Sequence, residues 1–260
     1  MLTHLRELAD AHELLYSWTL RDFKVRYSQS LLGAAWAILQ PLSLMIVFSL
    51  IFTLFIRVPT DGVPYPVFAY TALLVWTFFA NSLSMAMPSL VNNINLVSKI
   101  YFPREILPIA ANLVSMIDFV IAALTLALLM MIYKIAVGWT IVFLPILLII
   151  QVVFTLGVSL AISAINVFYR DVRFVIPLAL QIWMYLSPVI YPASLVPERF
   201  QPLYFLNPMA TLIESYRRVI FFNQPPDWLY LGITTVMTIA VTIVSYHYFK
   251  RAERLFADLI

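Results

Sequence analysis

Residues 106–133 read ILPIAANLVSMIDFVIAALTLALLMMIY, twenty-eight residues that carry a single charge, Asp118. About 20 apolar residues in helical conformation cross the 30 Å of a bilayer's hydrocarbon, so this stretch predicts a transmembrane helix. Working outward, comparable runs stand at Trp36 to Ile56, Pro66 to Leu90, Trp139 to Phe168, Arg173 to Tyr191 and Trp228 to Phe249. The expected fold is an all-α integral membrane protein with six transmembrane helices. Pro108, Pro145 and Pro177 mark places where those helices start, kink or break. Composition agrees: 63% of the 260 residues are hydrophobic and 11% charged, against about a quarter charged in soluble domains. No stretch is left to fold as a separate aqueous domain.

The flanks assign an orientation. Arg6, Arg21, Lys24, Arg26, Lys99, Arg104, Arg170, Arg173, Lys250, Arg251 and Arg254 fall on one side, and Arg57, Lys134, Arg199, Arg217 and Arg218 on the other. An excess of Lys and Arg marks the cytoplasmic side, so both termini are expected there. Before the first span, Leu2, Leu5, Leu8, His12, Leu15 and Trp18 recur at spacings of three and four with Arg6, Glu7, Asp10 and Glu13 mostly between them. That pattern predicts an amphipathic helix along the membrane surface. The chain therefore divides into residues 1–34, interface helix and basic flank, and residues 35–260, the six-helix domain. The basic end of the first part, Arg21, Lys24 and Arg26, reads about equally as a plain topogenic flank or as a functional one.

Two connectors stand out. Residues 192–227 mix six prolines with Phe200, Tyr204, Phe205 and Phe222, too apolar for a solvated loop and too interrupted to span. We read an external re-entrant helical hairpin between spans five and six, either shaping an exit or packing as a lid. Residues 92–108, NNINLVSKIYFPREILP, place Lys99, Arg104 and Glu105 among Leu96, Val97, Ile100, Tyr101 and Phe102 on the cytoplasmic side. A short helix with an apolar tip fits a groove on a soluble partner, which makes residues 92–105 a candidate coupling helix.

Within the spans, Gln40, Ser43, Phe48, Trp76, Phe79, Gln181, Trp183 and Tyr185 are candidates for a passage wall. Aromatic faces with interspersed amides and hydroxyls hold sugars loosely, although the same residue types also belt interfaces and glue helices. Asp118, the one acid deep in a span, costs about 2.5–3.5 kcal/mol if ionised at a helix centre. It is read either as a proton or cation site or, in keeping with its isolation, as a structural hydrogen-bonding group. The chain has no cysteine and only three histidines, His4, His12 and His247, so neither thiol chemistry nor a histidine metal cluster is expected. No GxxxxGK[ST] loop is present, so ATP hydrolysis would have to come from another polypeptide.

Four stretches carry a family resemblance: residues 24–36 (KVRYSQSLLGAAW) with Pro41 following, 96–108 (LVSKIYFPREILP), 186–192 (LSPVIYP) and 206–217 (LNPMATLIESYR). In this order the chain resembles, over nearly its whole length, the membrane permease subunit of ATP-binding-cassette exporters for O-antigen, capsule and teichoic acid. The resemblance implies a homodimer in the bacterial plasma membrane with two copies of a nucleotide-binding ATPase subunit. ATP and Mg would reside on that partner, with no catalytic residue, cofactor or metal in this chain and no nucleic acid involved. It further implies a channel at the dimer interface for a polyprenyl-diphosphate-linked polysaccharide, with Arg21, Lys24 and Arg26 as candidate contacts for the lipid phosphate. Ser28 departs from the pattern, which usually has a basic residue after the tyrosine, and puts that phosphate contact in doubt. The alternatives are an exporter of drugs or small lipids on the same fold, a membrane-embedded glycosyltransferase and an ion-coupled transporter. Scarcity of carboxylates speaks against the glycosyltransferase, and Asp118 almost alone would support the ion-coupled transporter.

Overall fold

The computed structural model describes residues 11–28, 30, 32–55, 59–60, 62–99 and 102–259. Among them every regular element is helical. Helix α1 spans His12–Tyr27, α2 Trp36–Leu50, α3 Tyr65–Ala86, α4 Ser89–Asn92, α5 Ile94–Lys99 and α6 Ile106–Ile132. Then follow α7 Leu144–Phe168, α8 Val172–Tyr185, α9 Gln201–Tyr204, α10 Pro208–Phe221 and α11 Trp228–Leu259. Five stretches among the described residues are long and apolar enough to cross a membrane: Gly33–Thr53, Tyr65–Ala86, Ile106–Ile132, Trp139–Phe168 and Trp228–Phe256.

The fifth expected span is shorter than the sequence suggests. Helix α8 stops at Tyr185, and its 14 residues reach only about 21 Å. The sequence LSPVIYP follows, where prolines at 188 and 192 remove amide donors and the helix cannot continue. The last helix errs the other way. Its 32 residues extend about 48 Å, about 18 Å more than the hydrocarbon layer.

Helix α3 is the hub, packing against α2, α6, α7, α8 and α10. Val67, Ala69, Tyr70, Leu73 and Phe79 are wholly buried. Lipid tails supply no hydrophobic contrast, so close packing and hydrogen bonds must hold the helices together. Gln151 of α7 donates to the Val75 carbonyl at 3.0 Å and accepts from the Tyr216 hydroxyl at 2.9 Å, tying α7, α3 and α10. Gly33 adopts φ +51° at the entry to α2, a left-handed conformation that glycine alone takes without cost.

Helices α7 and α11 meet at Gly157, where a Cβ would stand 2.9 Å from the Thr242 Cα, and Thr242 also donates to the Val153 carbonyl at 3.1 Å. Gly157→Leu should therefore lower the thermal midpoint of the detergent-purified protein, by about 1–3 kcal/mol in stability. Gly232→Ala, with open space at its Cβ, should leave the midpoint unchanged or raise it.

Candidate functional site

Three polar junctions organise the described residues, one toward the connector α4–α5, one beside the first three long helices, and one in the segment before α11.

At the first junction α11 overruns and meets the connector. Phe102 is buried against a cluster that includes Leu107, Phe249, Ala252 and Phe256, with Leu14, Trp18 and Leu96 packed around it. The Arg104 guanidinium donates to the Glu253 carbonyl at 2.6 Å. Lys250 bridges Glu105 at 2.8 Å and Glu253 at 3.0 Å. Glu105, almost fully buried, would be costly to bury without that cation. Phe102 and Glu105 thus face into their own chain instead of presenting themselves to a partner, because the extended α11 supplies an aromatic and a charged surface for them. Leu96 is half-buried, whereas Tyr101 and the Lys99 side chain lie outside the described residues.

The second junction accounts for Asp118. Helix α1 leans along α6, and its half-buried face continues past Leu15 and Trp18 through Asp22, Phe23, Arg26 and Tyr27. The Tyr27 hydroxyl donates to Asp118 Oδ1 at 2.5 Å, and the Arg26 guanidinium stands 3.1 Å from Oδ2. Asp118 is therefore one half of an ion pair, about 18 Å along α6 from Ile106. Burial, reinforced by the bond to Asp118, raises the Tyr27 hydroxyl above its ordinary range, so it stays a donor. Burial likewise raises the Asp22 carboxyl, against the opposing pull of Arg21. Of the three phosphate candidates, Arg26 is shared between Asp118 and the Met85 sulfur, to which it donates at 2.6 Å. Arg21 is shared between Asp22 at 2.9 Å, Asn93 at 3.1 Å and the Trp18 ring at 3.8 Å. Lys24 is exposed.

The third junction involves two side chains not singled out from sequence. Arg217 is fully buried over the Phe68 ring, 3.5 Å from its centroid. Its guanidinium donates to the carbonyls of Pro188 at 2.6 Å, Val189 at 3.1 Å, Tyr191 at 3.4 Å and Phe68 at 3.4 Å. Asn207 caps α10 through Met209 N, accepts from the Trp183 indole at 2.8 Å, and donates to Ser187 Oγ at 2.9 Å. The stretches 186–192 and 206–217, separate in sequence, are one clip. A cue was available: an asparagine before proline is a helix N-cap, and an arginine amid Tyr216, Val219 and Ile220 needs acceptors nearby.

The wall candidates divide. Trp76 and Phe79 are buried inside the chain, Phe79 stacked on Phe154 at 5.6 Å and edge-on to Trp183 at 5.1 Å. Hub position, with neighbours on all sides of α3, is what removes them from any surface. Gln40, Ser43, Gln181 and Tyr185 are exposed on α2 and α8, and Phe48 and Trp183 are half-buried.

The family profile of the ABC-2 type transporter matches residues 13–221. The chain belongs to that family of membrane subunits. It is 30% identical over 249 residues to the O-antigen export system permease protein RfbA of Klebsiella pneumoniae, covering 95% of both chains. It is 29% identical over 263 residues to the RfbA permease of Myxococcus xanthus, covering all of both. A more distant likeness, 20% over 235 residues, is to the polysialic acid transport protein KpsM of Escherichia coli, covering 87% of this chain and 90% of that one. Among the described residues no three His, Cys, Asp or Glu side chains are grouped to hold a metal.

The Arg26–Asp118 pair can be weighed by a double-mutant cycle. Asp118→Leu should destabilise the purified protein by about 1–3 kcal/mol, since it leaves the half-buried Arg26 without its carboxylate partner. Adding Arg26→Met should recover much of that loss, seen as a thermal midpoint well above the sum of the single effects.

Proposed function

We propose that the chain is the transmembrane subunit of an ATP-driven exporter that moves a polyprenyl-diphosphate-linked polysaccharide of the O-antigen, capsule or teichoic acid class out of the cytoplasm. The observation that carries this reading is end-to-end likeness to permeases named for O-antigen export, over 95–100% of both chains. An exporter of drugs or small lipids on the same fold is the alternative.

In this reading six helices cross the plasma membrane, α8 completing its passage through the Arg217-bound stretch 186–192, with both termini cytoplasmic. Helix α1 lies at the inner interface and residues 192–227 dip into the outer face. Two copies pair, each bound to one ATPase subunit that holds ATP and Mg. Support for pairing comes from α8, whose side chains are mostly exposed in the single chain, and from α2, where all but Pro41 and Met45 are exposed or half-buried. Exposed Gln40, Ser43, Gln181 and Tyr185 would then face the channel, and Lys24, an exposed cation of α1 with no ion-pair partner among the described residues, is a partner for the lipid phosphate.

Force from the ATPase enters at residues 92–105. Arg104 and Glu105 are bonded to α11 through Glu253 and Lys250, and Phe102 shares its cluster with Leu14 and Trp18 of α1. A push on the connector therefore moves α1 and α11 with it, and α1 carries the motion to α6 through Asp118. The protein's own chemistry consists of holding and moving; bond cleavage belongs to the ATPase.

Depleting the chain in its native host should leave polyprenyl-linked polymer trapped inside and the surface bare. A normal surface glycan would move the cargo to drugs or small lipids. For the connector, either Glu105→Lys or Lys250→Glu alone should reduce co-purification of the ATPase several-fold. The double exchange should restore it, and failure of that rescue would remove the ion pair from the coupling path.

A further inference from the structure

A cavity of about 270 Å³ lies where the segment after α8 meets the start of α11, apart from the three junctions. Its size is just below the about 300 Å³ where small-molecule sites begin, room for one sugar-sized group. Its walls are built from side chains whose positions are already fixed by other bonds. The Arg218 guanidinium donates to the Pro225 carbonyl at 3.1 Å, Gln201 Nε2 to the Val196 carbonyl at 3.2 Å, and Thr211 to the Phe205 carbonyl at 2.8 Å. Asp227 caps α11 with Oδ1 accepting from Leu229 N and Tyr230 N.

What these bonds leave over points to a ligand. Ser215 is only 2% exposed and lines the cavity, yet its hydroxyl has no hydrogen-bond partner among the described residues. The hydroxyls of Ser194 and Tyr230, Gln201 Oε1 and Asp227 Oδ2 likewise have none there. Beside them the Phe205 and Tyr230 rings pack with centroids 4.9 Å apart, an aromatic surface. These donors and acceptors stand open to the cavity, Ser194 exposed and Gln201, Asp227 and Tyr230 half-buried, and a polyhydroxylated ring with apolar C–H faces answers both halves of this wall. The lining also holds two carboxylates, Glu214 and Asp227, beside Arg218, but no three-ligand group for a metal is present among the described residues.

We infer that this cavity is a subsite for a single sugar residue, open to the outside, that holds one unit of the glycan as it leaves. Tyr230 and Phe205 stack against the sugar face, while Ser215, Gln201 and Asp227 take its hydroxyls. The inference rests on the export reading and on the outward placement of residues 192–227.

The cysteine-free sequence permits a clean test. Ser194→Cys, the sole thiol of the chain, is labelled with a membrane-impermeant maleimide on protoplasts or spheroplasts of the native host. The probe is a repeat-unit oligosaccharide released by mild acid from the host's own surface polysaccharide. At millimolar concentration it should slow labelling at least fivefold, and adding Tyr230→Ala should abolish that protection. Unchanged labelling, no labelling from outside, equal protection by dextran of the same size, or protection that survives Tyr230→Ala would each overturn the site. The depletion experiment judges the export reading separately: a bare surface with no protection removes this subsite alone.

Discussion

An arginine with nowhere to send its charge organises the end of the molecule that includes the α8–α10 clip. Where the chain leaves helix α8 it runs through two prolines, and carbonyls there lose their helical donors. Within a bilayer such carbonyls find no water, and each one left bare costs several kcal/mol. Arg217 answers with five donors on a rigid plane and binds four carbonyls from two parts of the chain. The same contacts solve the arginine's own problem, since carbonyl dipoles and the Phe68 face replace its hydration. The irregular stretch 186–192, the cap at Asn207 and the position of Trp183 all depend on this arrangement.

Polar contacts elsewhere follow the same logic and are placed where a transporter needs joints. Helix α3 is buried nearly all round and offers no freedom to move. By contrast α1, α8 and the end of α11 lie at the margin of the body, and specific bonds supplement their packing: Arg26 and Tyr27 to Asp118, Trp183 to Asn207, Lys250 to Glu105. A rigid hub with elements attached by discrete polar links can shift between arrangements without unpacking its centre. That division suits the coupling proposed above, in which energy arrives from outside the chain at the connector.

Residue by residue, the sequence was legible wherever one-dimensional pattern matters. The bounds of α6 and of the span ending at Phe168 were readable because uninterrupted apolar length is a local property. The short helices within residues 192–227 followed from proline spacing. Trp76 and Phe79 were not readable as core, since an aromatic on an all-apolar helix shows no polar face to say which side is inside. Phe102 was read as an exposed tip for the same reason: its cover comes from Phe249 and Phe256, about 150 residues away in the chain. Asp118 looked solitary because its partners lie about ninety residues earlier, on a helix whose basic residues resemble an ordinary flank.

The sequence by itself determined that this is a helical membrane protein of the ABC-2 exporter kind, lacking a nucleotide-binding loop of its own, because hydropathy, charge bias and short motifs act through neighbouring residues. Only the tertiary structure decided which charges are paired inside the chain and which are left exposed. Pairing in space is set by how helices cross, and a single chain of letters does not carry that distance.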